Sequence, residues 1–359
     1  MAQIIKTGAE YFETLFKELN PKKMLFVCDE AFDFLPDKVK NIYFDHKDKL
    51  VLFNEFTPNP LYEQVCKGVD LYRENGCDTI LAIGGGSTID VAKCIKLYCK
   101  MDPKENYLKQ EYKDSGVPLI AIPTTAGTGS ESTRYAVIYF EGKKQSVTHE
   151  SIIPNYVILE HSVLKTLPLR QKKATMLDAL CQGIESWWSV NSTDESKVYS
   201  RKAVEMIVAN YKKYIFENDD EAANQIMIAA NYAGQAINIT QTTAAHAMSY
   251  KITSLFRIPH GAAVAICLPE VWGYMLDHPE KCIDHRGIEY LSATLKEIPV
   301  TLDWFKALLV ELEMGYPEST DRATDIDTLT NSVNPVRLRN FPTELTTEVL
   351  RSMYERIVK

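Results

Sequence analysis

Apolar residues follow two patterns along this chain. In the first half, short runs of consecutive apolar residues alternate with stretches in which they recur every three or four positions. KMLFVC (23–28), KLVLF (49–53), DTILAIGGGS (78–87) and VPLIAIPTTAGTGSES (117–132) are runs of the first kind. Two of them break into glycine- and threonine-rich turns, and KMLFVC is followed by Asp29. LYEQVCKGVDLYREN (61–75) and TIDVAKCIKLYC (88–99) carry the helical period. The alternation predicts a parallel sheet with crossover helices. From about Pro168 the helical period dominates, over 171–190, 195–215, 219–238, 243–256, 260–277, 302–314 and 344–357. The expected organisation is therefore an α/β domain over 1–165 and an all-helical domain over 166–359. The pattern is weakest over 278–330, where EMGYPESTDRATDIDT (313–328) reads as a loop with a short helix. Internal repeats and low-complexity linkers are absent from the sequence.

Composition narrows the function. A length of 359 residues suits two domains, and 45% hydrophobic with 25% charged residues is the composition of a chain with a large core. The formal net charge of −8, with no basic stripe, argues against a nucleic-acid partner. Eight cysteines (28, 66, 77, 94, 99, 181, 267 and 282) are scattered without zinc-type spacing and read as reduced thiols of a cytoplasmic protein. MAQIIKTGAE lacks the apolar run of a signal peptide, and no apolar stretch approaches the roughly 20 residues of a membrane span, so no membrane partner is expected.

Candidate chemistry lies in two loops and one helical constellation. GGGSTID (84–90) follows a strand and opens a helix, where glycines let backbone approach a ligand and free N–H groups meet phosphate oxygens. PTTAGTGSEST (123–133) would form a hydroxyl-rich wall at the end of a neighbouring strand. Asp29 is placed to bind a ribose hydroxyl; a helix N-cap is its other reading. LDALCQGIESWW (177–188) reads as the start of an amphipathic helix with Asp178 and Gln182 on one face. His246 and His260 follow, and the break at RIPHG (257–261) puts them on different helices. On spacing alone they remain either metal ligands or satisfied core histidines, and Asp178 either a ligand or a helix-start acid.

The combination of AIGGGSTIDVAK, IPTTAGTGSE, LDAL-x-Q-x-IES and H-x(13)-HG resembles the iron-containing alcohol dehydrogenase family, from TPNP (57–60) to NPVRLRN (334–340). The resemblance implies a Rossmann-like α/β domain followed by a helical domain, the dehydroquinate synthase-like fold. It also implies bound NAD(H) and a divalent metal, iron or zinc, in a homodimer. Matched position by position, the metal ligands are Asp178, Gln182, His246 and His260. The cofactor positions are Asp29, Asn59, Gly85, Gly86, Ser87, Thr88, Asp90, Thr124, Thr125, Thr128, Thr133 and Lys144. Two positions depart from the family. Gln182 stands where histidine is usual; a neutral carbonyl donor keeps the formal charge but lowers affinity for zinc or iron. Tyr250 stands where many relatives carry histidine, and is expected either to relay a proton, with an ordinary pKa near 10, or to shape the pocket.

The metal-helix segments look most like the phosphonoacetaldehyde reductase branch, which implies a small anionic aldehyde reduced to 2-hydroxyethylphosphonate. An anionic tail calls for local positive charge. Arg134, Arg257 and Arg337 are the candidates, with Arg134 weakened if 133–139 is a strand. The lysine pairs at 172–173 and 212–213 read as solvated helix surface. Sulfoacetaldehyde or a neutral aliphatic aldehyde, a dehydroquinate-synthase-like cyclase and a metal-free nucleotide-binding protein are the alternatives.

Overall fold

The computed structural model describes residues 3–283 and 300–359. The chain divides into two compact units: residues up to 167 with 217–234, and 168–216 with residues from 235 onward.

The first unit is built on a six-stranded sheet of order β1-β8-β5-β4-β2-β3 in which every neighbouring pair is parallel. The strands are β1 (Ile4–Thr7), β2 (Met24–Cys28), β3 (Leu50–Phe53), β4 (Thr79–Gly84), β5 (Leu119–Pro123) and β8 (Tyr156–Leu159). Every residue of β2, β4 and β5 is buried, which is why they read as unbroken apolar runs. The chain leaves β2 for β3 on one side and leaves β4 for β5 on the other. The strand order therefore reverses between β2 and β4, where open α/β sheets bind ligands. Register places Cys28 beside Ile83 and Gly84 beside Pro123. The residues that follow β2, β4 and β5 thus emerge together. A separate hairpin pairs β6 (Tyr135–Phe140) with β7 (Lys143–Thr148). Its turn residues Glu141 (φ 51°) and Gly142 (φ 71°) are both left-handed, as a two-residue hairpin loop requires. Helices α1 (Tyr11–Leu19), α2 (Asp37–His46), α3 (Tyr62–Glu74) and α4 (Gly86–Tyr98) belong to the same unit.

The second unit is helical: α5 (Leu169–Trp188), α6 (Asp194–Lys212), the end of α7 (Asp220–Thr240), α8 (Ala244–Phe256), α9 (His260–Asp277), α10 (Leu302–Glu311), α11 (Arg322–Ser332), α12 (Pro335–Leu338) and α13 (Thr347–Ile357). The sequence gives a reason for residues 217–234 joining the first unit. Gly129, at φ +60°, lies so close to Gly234 that a Cβ on Gly234 would fall 2.6 Å from the Gly129 carbonyl oxygen. Nearby, Asn231 Nδ2 donates to Glu131 Oε1 (3.0 Å) and Ser132 Oγ (2.7 Å).

Helix α5 packs against α6 and α9 and is buried without interruption from Ala174 to Trp188. A helix buried on all faces is a core helix. The 177–188 stretch is therefore the buried end of α5, not the amphipathic start that its sequence suggests. Lys172 is likewise no surface residue: it is 5% exposed, with its ammonium 5.3 Å from the centre of the Tyr214 ring. Arg257 (φ 55°) ends α8 in the left-handed region, and Pro259 precedes the first turn of α9. His246 and His260 consequently sit on two helices. The 313–328 stretch is a loop leading into the start of α11, as its pattern reads, and Asp321 caps that helix through Thr324 N at 3.3 Å. The eight cysteines are free, all but Cys66 buried. Among the described residues no helix is long and apolar enough to cross a membrane.

Candidate active site

In the first unit the two glycine loops meet. Gly85 precedes α4, and a Cβ on Gly86 would come within 2.8 Å of the Thr128 methyl. The methyl of Thr125 lies 3.6 Å from where a Cβ on Gly85 would stand. Thr124 N donates to Gly84 O at 3.0 Å, and Asn59, left-handed at φ 57°, donates its N–H to Ser87 Oγ at 3.4 Å. The α4 N-terminus thus opens between these loops with unsatisfied N–H groups suited to phosphate. Asp29 both caps the short 3-10 turn over Glu30–Phe34, accepting from Ala31 N at 3.0 Å, and accepts from Thr88 Oγ at 2.6 Å. A carboxylate offers about four acceptor sites, so these two bonds leave capacity for a ribose hydroxyl.

Asp90 and Thr133 also have partners within the protein. Asp90 accepts from Ser130 Oγ (2.5 Å) and Val137 N (2.9 Å). Thr133 Oγ accepts from Lys93 Nζ at 3.1 Å, and Lys93 also donates to Ser130 O (2.8 Å) and to Tyr135 O. These side chains tie α4 to the 130–137 segment, so the wall they build is preformed. Burial lowers the Lys93 pKa to about 8 and raises that of Asp90, while the positive charge of Lys144 bears on Asp90 from β7. Nothing in the sequence marks Lys93 as buried, since a lysine in a helix ordinarily signals surface.

In the second unit, one oxygen of Asp178 and one nitrogen each of His246 and His260 lie within 4.8 Å of one another. Asp178 Oδ1 is 3.2 Å from His246 Nε2. Gln182 is buried one turn beyond Asp178, and its amide N–H hydrogen-bonds that carboxylate. Burial would raise the Asp178 pKa. The bond from His246, the charge of His260 and the Gln182 amide outweigh it and hold the group below the usual carboxylate range. Glu185, wholly buried two turns along α5, accepts from His246 Nδ1. Burial disfavours a charged His246, yet Glu185 and Asp178 together raise its pKa to about 9, so the field of this pocket favours positive charge. Two buried carboxylates balance a divalent ion, and an oxygen-and-imidazole donor set suits zinc or ferrous iron. The residues fit the metal.

Around this cluster, the Tyr250 ring stacks on His260 (centroids 5.5 Å apart, planes 4° apart), and the Arg337 guanidinium lies 5.6 Å from the Tyr250 ring centre. Burial raises the phenol pKa, opposed by Arg337 and a hydrogen bond from Thr242. The other two arginines differ. Arg134 pairs with Glu150 and donates to Tyr135 Oη at 3.1 Å, a structural ion pair of the kind that competes with an anion for the guanidinium. Arg257 is an exposed helix end.

Gly261 makes the cluster possible. A Cβ there would stand 2.0 Å from Ala174 O and 2.7 Å from Asp178 Cβ. Backbone cannot yield as a side-chain tip can, so Gly261→Ala is expected to push α9 off α5. It should lower unfolding stability by roughly 1–3 kcal/mol, read from denaturant midpoints.

A parallel-sheet unit with two apposed glycine loops, and a helical unit carrying an Asp–His–His cluster, define an α/β-plus-helical class with a metal-type centre. Comparison with known proteins gives its family. Residues 4–161 match the model of iron-containing alcohol dehydrogenases, and residues 172–300 the model of the family's C-terminal domain. The chain belongs to the iron-containing alcohol dehydrogenase family. It is 30% identical over 284 residues to the NAD-dependent methanol dehydrogenase of Bacillus methanolicus, spanning 77% of this chain and 74% of that one. With the "Probable alcohol dehydrogenase EutG" of Salmonella typhimurium it shares 35% identity over 220 residues; the match spans 60% of this chain and 56%, little more than half, of that protein. Among solved structures, the sulfoacetaldehyde reductase of Bifidobacterium kashiwanohense in complex with NAD+ superposes with a TM-score of 0.87 at 25% identity, over 99% of this chain and 96% of that one. The expected fold class holds.

Proposed function

We propose that the protein is a metal-dependent, NAD(H)-linked reductase of small anionic aldehydes that converts phosphonoacetaldehyde to 2-hydroxyethylphosphonate. The observation that carries the reading is Arg337, set over the Tyr250 ring, which itself stacks on His260. A guanidinium so close to a metal-type cluster suits a two-carbon aldehyde whose carbonyl oxygen meets the cluster and whose tail meets the cation. The sulfoacetaldehyde reductase relative adds support, its substrate differing by a sulfonate for the phosphonate.

In this reading residues 1–165 bind the dinucleotide and residues 166–359 hold metal and substrate, in a cytoplasmic homodimer. Asp178, Gln182, His246 and His260 would hold the metal. When bound, the metal supplies Lewis-acid stabilisation of the carbonyl oxygen and the nicotinamide supplies the hydride. The chain's residues do the rest. Gly85, Gly86 and Ser87 present the α4 N-terminus to the pyrophosphate. Arg337 fixes the anionic tail and with it the angle of the carbonyl. Tyr250, hydrogen-bonded by Thr242, holds at its Oη the proton that the product oxygen takes up.

The test is NADH oxidation with phosphonoacetaldehyde, sulfoacetaldehyde and propanal. The highest kcat/KM is expected on the phosphonate. Propanal as the best substrate would leave a general alcohol dehydrogenase, and conversion without net NADH consumption would indicate a cyclase. Asp29 should oppose the 2′-phosphate of NADPH. Asp29→Gly is expected to narrow the NADH-over-NADPH preference by roughly tenfold, about 1.4 kcal/mol, in the ratio of kcat/KM values. Equal use of both cofactors by the unmodified protein would remove that role from Asp29.

A further inference from the structure

We infer that Glu185 is a positioning residue for the metal centre: from α5 it fixes the His246 imidazole so that Nδ1–H is held and Nε2 is turned to the metal position. The inference rests on the metal reading above and assigns a role to a residue outside the ligand set.

The carboxylate is wholly buried, and among the described residues the bonds it accepts come from one short segment, 243–246. One oxygen accepts from Thr243 Oγ (2.6 Å), Thr243 N (3.2 Å) and Ala245 N (3.1 Å); the other accepts from His246 Nδ1. The opposite ring nitrogen, Nε2, faces Asp178 Oδ1 at 3.2 Å, inside the donor cluster. Burying a carboxylate is costly, and capping α8 does not by itself explain it. Thr243, the residue before α8, is of a type that caps helices with its own hydroxyl. Its side chain makes no cap bond, because the hydroxyl goes to Glu185. What a carboxylate adds that a threonine cap lacks is an acceptor for Nδ1–H. A neutral imidazole carries one N–H, so holding it at Nδ1 leaves the lone pair at Nε2. Carboxylates behind metal-bound histidines fix tautomer and ring angle in this way.

Glu185→Gln separates the two jobs. The amide oxygen can still accept from Thr243 and Ala245, which keeps the helix start. Its NH2 then faces Nδ1 and drives the proton to Nε2, into the cluster. Turning the amide over would set NH2 against two backbone N–H donors. Thr243→Val is the complement: it removes a bond to Glu185 and leaves the contact with His246. The measurement is Zn2+ affinity by competition with a chromophoric chelator, with unfolding midpoints taken in parallel. Glu185→Gln is expected to weaken Zn2+ binding about 10–100-fold with a small midpoint change. Thr243→Val should lower the midpoint and leave zinc affinity within a few-fold. Unchanged zinc affinity in Glu185→Gln, or equal loss in both variants, would overturn the inference. If Glu185→Gln does not fold, nitrogen NMR of the zinc-loaded unmodified protein decides. The Nδ1–H tautomer at His246 is expected, and the Nε2–H tautomer refutes the assignment. An unmodified protein that takes up no Zn2+ would instead overturn the metal reading, and the inference with it.

Discussion

Replacing His260 with alanine is expected to lower kcat/KM on the aldehyde by roughly a thousandfold or more. The loss follows from the donor geometry. His260 is the first residue of α9, and one nitrogen each of His260 and His246 lies within 4.8 Å of an Asp178 oxygen. Truncation leaves two of these three donors, with the Gln182 amide beside them. An amide oxygen is the weaker partner for zinc or iron, so the truncated site should release its metal. Lewis-acid stabilisation of the carbonyl oxygen amounts to several kcal/mol, and about 1.4 kcal/mol corresponds to tenfold in rate. NADH oxidation at saturating cofactor checks this. An unfolding midpoint close to that of the unmodified protein ties the loss to the site rather than to the fold. A loss below tenfold would mean that the cluster takes no part in turnover.

Arg337→Ala carries the second largest effect, and it should be selective. A charged hydrogen bond to a buried partner contributes about 1.5–3 kcal/mol, so kcat/KM on phosphonoacetaldehyde should fall roughly tenfold to a hundredfold. Propanal has no anionic tail and should lose little. Arg134→Ala should leave both substrates nearly unchanged, because that guanidinium is paired with Glu150. Parallel kinetics on the two aldehydes separate the outcomes. Equal loss on both would mean that Arg337 supports the Tyr250 ring and does not read the substrate.

The parts of the fold legible in the sequence were those whose burial is uniform or strictly periodic. β2, β4 and β5 are buried on both faces and so stand out as apolar runs. β1 is a four-residue edge strand, mostly exposed, and so shows no apolar run. α11 reads only as a short helix within 313–328, because only Ile326, Leu329 and Thr330 are buried along its length, too few to mark its full extent. The end of α5 misled for a different reason: Asp178, Gln182 and Glu185 look like a solvent-facing polar stripe and are instead buried.

At the site, the asymmetry has the same origin. Asp178 and Gln182 share a helical face, which spacing reveals, and resemblance to a family supplies His246 and His260. Glu185 answers to His246 and Thr243 on another helix, a pairing that no local spacing encodes. Lys93 reads as a surface cation and is instead fully buried among loop oxygens. The three arginines look alike in sequence, and only their partners distinguish them: Glu150 for Arg134, the Tyr250 ring for Arg337.

The central claim is that this helical cluster holds the catalytic metal, and elemental analysis tests it most directly. Metal content per chain would be measured by inductively coupled plasma mass spectrometry for the unmodified protein and for the Asp178→Ala, His260→Ala double variant. The expected result is close to one iron or zinc per chain in the former and almost none in the latter. Stoichiometric metal retained unchanged by the double variant would place the metal elsewhere in the molecule and contradict the claim.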